Sequence, residues 1–311
     1  MRVLVAGWFS FEYGHATAGD VISADVLVNW LRELDFKPDV ASVAPFEGDV
    51  NWREVSPEDY GLVVFVCGPF EIKSYEAEFL YRFRRNRVIG INLSLNQSPQ
   101  EWNPFDRLLE RDSPSGARAE LAFAGDADHV PVVGACLVED YPEGHTKKAH
   151  GHIRALLNRH DLAIVPIDTR LDKNQFGLRS KSEVESLLAR MDAVVTTRLH
   201  GMVLAIKNGV PVVPIDPKWG GGKIVRQAQT IGWPVSFSVD DLDPGKLDDA
   251  LRFCLSAPAR EQAKSCARQA LVQLAAVKEE LVEAIRSQAH DTDPELKERS
   301  MEKLEELLPR D

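Results

Sequence analysis

The chain has 311 residues, 44% hydrophobic and 27% charged, with a formal net charge of −11 at pH 7. Such a length exceeds one comfortable hydrophobic core and favours two domains. The acidic balance excludes a general nucleic-acid binder, which needs a basic face to displace counterions, but not a small anion held by a local group of Arg and Lys. No stretch approaches the roughly 18 consecutive apolar residues of a membrane span, and the N-terminus lacks the three-part pattern of a signal peptide. A soluble, cytoplasmic protein is therefore expected. Cys67, Cys136, Cys254 and Cys266 have no CxxC spacing and read as buried, reduced thiols. No metal and no cofactor are expected.

The apolar run 3–6 ends at Gly7 and reads as a buried strand. Val21, Ala24, Leu27, Val28 and Leu31 then recur at helical spacing over 20–34. Strands are predicted at 37–43, 62–67 and 88–93, with a helix over 74–85 before the last. The second half repeats the alternation: 132–137, read as a strand or as the segment linking the domains, a helix over 149–158, strand 162–167, a helix over 182–190 and strand 193–196. A short helix over 202–208 precedes Gly209, placed as its C-cap, and strand 210–215 follows. Repeated strand–helix alternation means parallel sheets covered on both faces. The domains expected are 1–130, 131–257 and a helical extension over 258–311 that docks on the body or on a second copy, giving a homodimer.

The most informative stretch runs from Asp192 to Ala205. A buried strand ends at Thr196 and a helix is expected from Gly201, leaving Arg198 and His200 at the carboxyl end of a strand, where open α/β sheets bind ligands. The helix N-terminus favours an anion, Arg198 offers a planar fork for phosphate or carboxylate, and His200 can exchange a proton near neutral pH. The alternative is that both residues merely tether sheet to helix. The next loop also follows a buried strand. It carries Lys218, Gly220, Gly221, Gly222 and Lys223, whose glycine backbone and second helix start are expected to approach the same anion. Among the remaining histidines, His145, His150 and His152 with Lys147 and Lys148 read best as a solvated helix start, with a basic patch at the cleft edge as the second reading and a metal site as the third. Glu12, Glu71 and the pair Glu139-Asp140 show no interpretable carboxylate spacing.

Val195-Thr196-Thr197-Arg198-Leu199-His200-Gly201, followed by Ala205-Ile206 and 209–215, resembles the signature of the polysaccharide pyruvyl transferase family. Lys218 falls where that family often has a lysine. Val3 to Phe9, with Gly14 and Gly19-Asp20, resembles its opening glycine-rich loop, and Arg111-Asp112-Ser113 with Ser115 its mid-chain pattern. The resemblance implies an α/β fold of two Rossmann-like domains facing across a cleft, as in the GT-B architecture. It implies phosphoenolpyruvate as donor and a carbohydrate acceptor with two nearby hydroxyls, giving a pyruvate ketal. Arg198, Leu199, Lys218, Gly221, Gly222 and Lys223 are then expected to hold the donor and His200 to protonate its methylene carbon. Asp20 and His15 are the candidate bases, with a helix cap as the competing reading of Asp20. The chain departs from the family at Cys67-Gly68-Pro69-Phe70, where a glycine run is usual, and in a longer first loop over 11–18; both lie on domain 1–130, where the resemblance places the acceptor, the donor being expected on 131–257. Two other readings remain: a GT-B glycosyltransferase using a nucleotide sugar, and a non-catalytic binding relative.

Overall fold

The computed structural model describes residues 1–70, 74–96, 98–113, 116–139, 145–287 and 293–305. It divides into two compact units, Met1–Asp128 and His129–Asp311.

The first unit holds β1 (Arg2–Gly7), α1 (Ala18–Glu33), β2 (Lys37–Val40), β3 (Leu62–Val66), β4 (Pro69–Phe70), α2 (Ser74–Arg82), β5 (Val88–Leu95), β6 (Arg107–Ser113) and β7 (Gly116–Ala117). The strands form one sheet in the order β2-β1-β3-β5-β6-β7, with β4 also paired to β5. All pairings are parallel except β6 with β7. Strand alternation builds a core on each face. Val3 and Val5 pack with α1 residues Ala24, Leu27, Val28 and Leu31. Leu4 and Ala6 face an aromatic cluster containing Phe11, Trp52, Phe65 and Phe79. Phe11, expected in an acceptor loop, is thus core: it is 2% exposed, with its ring centroid 5.9 Å from that of Trp52.

The second unit repeats the plan with β8 (Val132–Cys136), α3 (Thr146–Leu157), β9 (Ala163–Pro166), α4 (Lys181–Leu188), β10 (Ala193–Thr196), α5 (Leu199–Lys207), β11 (Val212–Asp216), α6 (Lys223–Thr230), β12 (Phe237–Ser238) and α7 (Pro244–Cys254). Its sheet is parallel throughout, in the order β12-β11-β10-β8-β9. Gly209 has φ +70° and its N–H reaches Ile206 O at 2.8 Å, so the helix ends on the left-handed residue expected there. In each unit the order reverses beside the first strand, between β1 and β3 and between β8 and β10. Open α/β sheets place ligands at that reversal, beyond the carboxyl ends of the strands. Each unit is a Rossmann-like, doubly wound α/β structure, the fold class expected.

The long helix α8 (Ala257–Arg286) docks on the second unit through Ala259, Ala263 and Cys266. Farther along, Leu271, Leu274, Leu281 and Ile285 are exposed, as are Leu296, Met301 and Leu304 of α9 (Pro294–Glu305). All four cysteines are buried and free. Among the described residues no helix is long and apolar enough to cross a membrane.

Candidate active site

The second unit's reversal point carries a pocket of about 390 Å³. Val138 and Thr169 line it from the β8 and β9 side, and Thr197, Arg198, Leu199 and His200 from the β10–α5 turn. From the next loop come Asp216, Pro217, Lys218, Lys223, Ile224 and Arg226. Arg198, Leu199, His200, Lys218 and Lys223, predicted from sequence, therefore converge on one cavity.

The turn is held from beneath. Thr196 Oγ1 donates to Cys136 O at 2.7 Å and accepts the Arg198 N–H at 2.9 Å. Thr197 Oγ1 accepts the Val138 N–H at 2.8 Å. The helix starts earlier than expected: Arg198 is the N-cap of α5 and His200 lies in its first turn. Gly201 can fill its place only without a side chain, since a Cβ there would sit 2.4 Å from Thr196 Oγ1 and 2.9 Å from Cys136 Sγ. Burial pushes the Cys136 thiol up to about 11, so it packs rather than reacts. Gly201→Ala is expected to destabilise the protein by about 1–3 kcal/mol through overpacking. The check is a lower urea midpoint, and a midpoint equal to wild type would show that α5 shifts at no cost.

Arg198 is only 12% exposed and is gripped along one edge. Its Nε donates to Leu137 O at 2.9 Å and its Nη2 to Glu139 Oε2 at 2.8 Å, with Asp168 Oδ1 3.3 Å from the same nitrogen. Nη1 makes no hydrogen bond among the described residues, so one edge of the guanidinium remains for a ligand. Glu139 also accepts from Arg170 Nη1 at 3.0 Å. Its own backbone N–H, then Arg170 and Arg198, hold the Glu139 carboxyl below its ordinary value against the opposing effect of burial. Glu139 and Asp168 escaped the sequence reading because they lie 59 and 30 positions from Arg198 (198 − 139 and 198 − 168), with no local spacing to mark the contacts. The Asp140 beside Glu139, like Glu71, lies outside the described residues.

The glycine loop corrects an expectation. Its N–H groups do not face a ligand: Gly220 donates to Asp240 Oδ1 (3.1 Å), Gly221 to Lys218 O (3.0 Å) and Gly222 to Asp216 Oδ2 (2.8 Å). The Asp216 carboxylate, 2% exposed at the end of β11, also accepts from Ile224 N (2.9 Å) and Lys218 N (3.0 Å). A protein carboxylate thus already occupies the start of α6, where an anion was expected. Gly221 and Gly222 shape the loop instead: Gly220 and Gly221 have φ of +72° and +77°, and a Cβ on Gly222 would lie 3.1 Å from both Asp216 oxygens. The signal for this cap was Asp216 standing six residues before Gly222 across a glycine run.

What the loop supplies to the pocket is charge. Lys218, Lys223, Arg226 and His200 make no ion pair and no side-chain hydrogen bond among the described residues. Arg226, one helical turn beyond Lys223, was missed; the i, i+3 spacing on a helix starting at Lys223 would have found it. The first three N–H groups of α5 likewise have no hydrogen-bond partner among the described residues.

His15 and Asp20 belong to the first unit. His15 is exposed. Asp20 is the third residue of α1, and its Oδ2 accepts from Thr17 N (2.7 Å) and Thr17 Oγ1 (2.8 Å). This is a capping box, so the capping role of Asp20 is realised and its carboxylate is engaged. At the first unit's reversal point, Trp8 Nε1 donates to Pro69 O at 3.1 Å, and a Cβ on Gly68 would meet the Trp8 ring at 2.0 Å. The 67–70 segment, where the chain departs from the family pattern, packs around that buried ring. Arg111 Nη2 donates to Ser94 Oγ at 2.8 Å, and Ser115 lies outside the described residues. His145 stands at the N-cap position of α3, His150 is buried and His152 half-buried, and no group of three or more His, Cys, Asp or Glu among the described residues could hold a metal.

Similar solved structures include the calicheamicin glycosyltransferase CalG4, 13% identical over 93% of this chain and 99% of its own, with a TM-score of 0.35. Acinetobacter baumannii MurG is 9% identical over 86% and 94%, with a TM-score of 0.32. The Methanocaldococcus jannaschii UDP-GlcNAc 2-epimerase is 11% identical over 89% and 100%, with a TM-score of 0.31. No curated protein matches the chain by sequence. Residues 140–218, which contain the whole Arg198–His200 turn and Lys218, match the polysaccharide pyruvyl transferase family.

Proposed function

We propose that the protein is a transferase that moves the pyruvyl group of phosphoenolpyruvate onto two neighbouring hydroxyls of a sugar, forming a pyruvate ketal and releasing phosphate. One observation carries this reading: in a chain of net charge −11, Lys218, Lys223, Arg226 and the free edge of Arg198 line one pocket beside His200 and the open start of α5. Cations without a protein partner among the described residues, set at a helix N-terminus, suit a compact ligand with phosphate and carboxylate. The family match over the same segment supports the transferase class.

The roles follow from position. Lys218, Lys223 and Arg226 bind phosphate and carboxylate, with Arg198 held in register by Glu139 and Asp168. His200, exposed at the first turn of α5, donates a proton to the methylene carbon. The central carbon then becomes electrophilic and bonds to the first hydroxyl oxygen, which loses its proton. Phosphate departs with the electron pair of its C–O bond, and the second hydroxyl closes the ketal with loss of its proton. Cations around the phosphate stabilise the charge that gathers on it as it leaves.

The test is thermal stabilisation. A ligand at 100 times its Kd stabilises the native state by about 2.7 kcal/mol. Phosphoenolpyruvate is expected to raise the melting temperature of wild type and to lose most of that effect with Lys218→Ala/Lys223→Ala. Stabilisation by UDP or GDP but not by phosphoenolpyruvate would overturn the reading in favour of glycosyl transfer.

A further inference from the structure

Trp219 is 59% exposed, an unusual cost for the largest apolar side chain, and it stands on a loop with little freedom. Lys218 N, Gly220 N, Gly221 N and Gly222 N are all hydrogen-bonded within the protein, and Ser238 Oγ donates to Lys218 O at 3.2 Å. The loop backbone therefore holds the root of the indole in place. Its ring centroid lies 5.0 Å from that of His145 at an interplanar angle of 53°, and Lys148 Nζ lies 5.6 Å from the same ring.

Topology gives this contact meaning. Trp219 follows β11, His145 lies between β8 and α3, and β10 runs between β11 and β8. The pair thus joins the two connections that flank the β10–α5 turn carrying Arg198 and His200. Lys218, the residue before Trp219, is itself a wall of the pocket. A largely exposed indole stands next to a cation-lined cavity, with the His145 ring tilted against it and Lys148 Nζ over its ring.

We infer that Trp219, with His145 tilted against it, is the ring-binding subsite for the carbohydrate acceptor; this rests on the pyruvyl-transfer reading above. Two rings in contact at 53° leave no parallel slot in which a planar base could be sandwiched. One open indole face suits the C–H side of a pyranose, and polar groups at its rim suit the hydroxyls. The placement also differs from the sequence expectation of an acceptor held by the first unit, whose own reversal point is filled by the buried Trp8 ring.

The experiment uses the full chain, saturated with phosphoenolpyruvate, and ligand-observed NMR titration of methyl glycosides of galactose, glucose and mannose, with UMP as a separate arm. Wild type is expected to bind at least one glycoside. Trp219→Ala should weaken that binding roughly three- to tenfold, and Trp219→Phe should restore most of it. Both variants should melt like wild type without ligand and keep its phosphoenolpyruvate shift, because Trp219 is exposed and outside the pocket wall. The proposal fails if no glycoside binds wild type, if binding survives Trp219→Ala, or if UMP takes the place of the sugar. Failure of phosphoenolpyruvate to stabilise wild type, with glycoside binding still dependent on Trp219, would remove the pyruvyl reading and leave the subsite standing.

Discussion

His200→Ala is expected to lower turnover by about 10²–10⁴-fold while leaving the fold and the phosphoenolpyruvate-induced stabilisation largely intact. The separation follows from where the residue sits. His200 is exposed in the first turn of α5 and makes no side-chain hydrogen bond among the described residues, so removing it strands no buried partner. On the proposed reading, binding of the donor relies on the neighbouring cations, and those stay. A proton donor acting in the transition state contributes to the rate and little to the ground-state complex. The measurement is phosphate release from phosphoenolpyruvate with a glycoside that supports wild-type turnover, beside the melting shift of the same variant. Turnover within threefold of wild type would remove His200 from the chemistry. Loss of the melting shift along with turnover would make it a binding residue instead.

Asp216→Ala is expected to have the largest effect on stability, about 3–5 kcal/mol. The carboxylate accepts from Gly222, Ile224 and Lys218 at 2.8–3.0 Å, and its removal leaves buried N–H groups without an acceptor and a void at the start of α6. Asp216→Asn keeps the volume but turns an amide NH₂ toward donors, and should cost less, about 1–3 kcal/mol. Urea unfolding measures the loss. Hydrogen exchange locates it, with the amides of 218–225 expected to lose protection first. Affinity for phosphoenolpyruvate should fall in both variants, because Lys218 and Lys223 bracket the loop that Asp216 organises. A stable Asp216→Ala protein with protected loop amides would show that the cap is dispensable.

Local chemistry carried much of this molecule into the sequence. The unbroken apolar run Val3 to Ala6 already encodes a strand buried on both faces, because successive side chains point to opposite sides of the sheet and all four are apolar. Gly209 marked the end of α5, since a left-handed position selects glycine. Arg198 and His200 were legible because their turn lies between a buried strand and a helix, contiguous in the chain. Tertiary structure alone decided what those residues touch. Arg198 is gripped by Glu139, 59 positions away, and by Asp168; Trp219 meets a histidine from the other side of β10. The glycine N–H groups, free donors by sequence, turn inward to Asp216, Lys218 and Asp240. Patterning sets which face a residue takes within its own element. Which partner satisfies a buried charge or N–H is set by the strand order, which brings distant loops to one edge of the sheet.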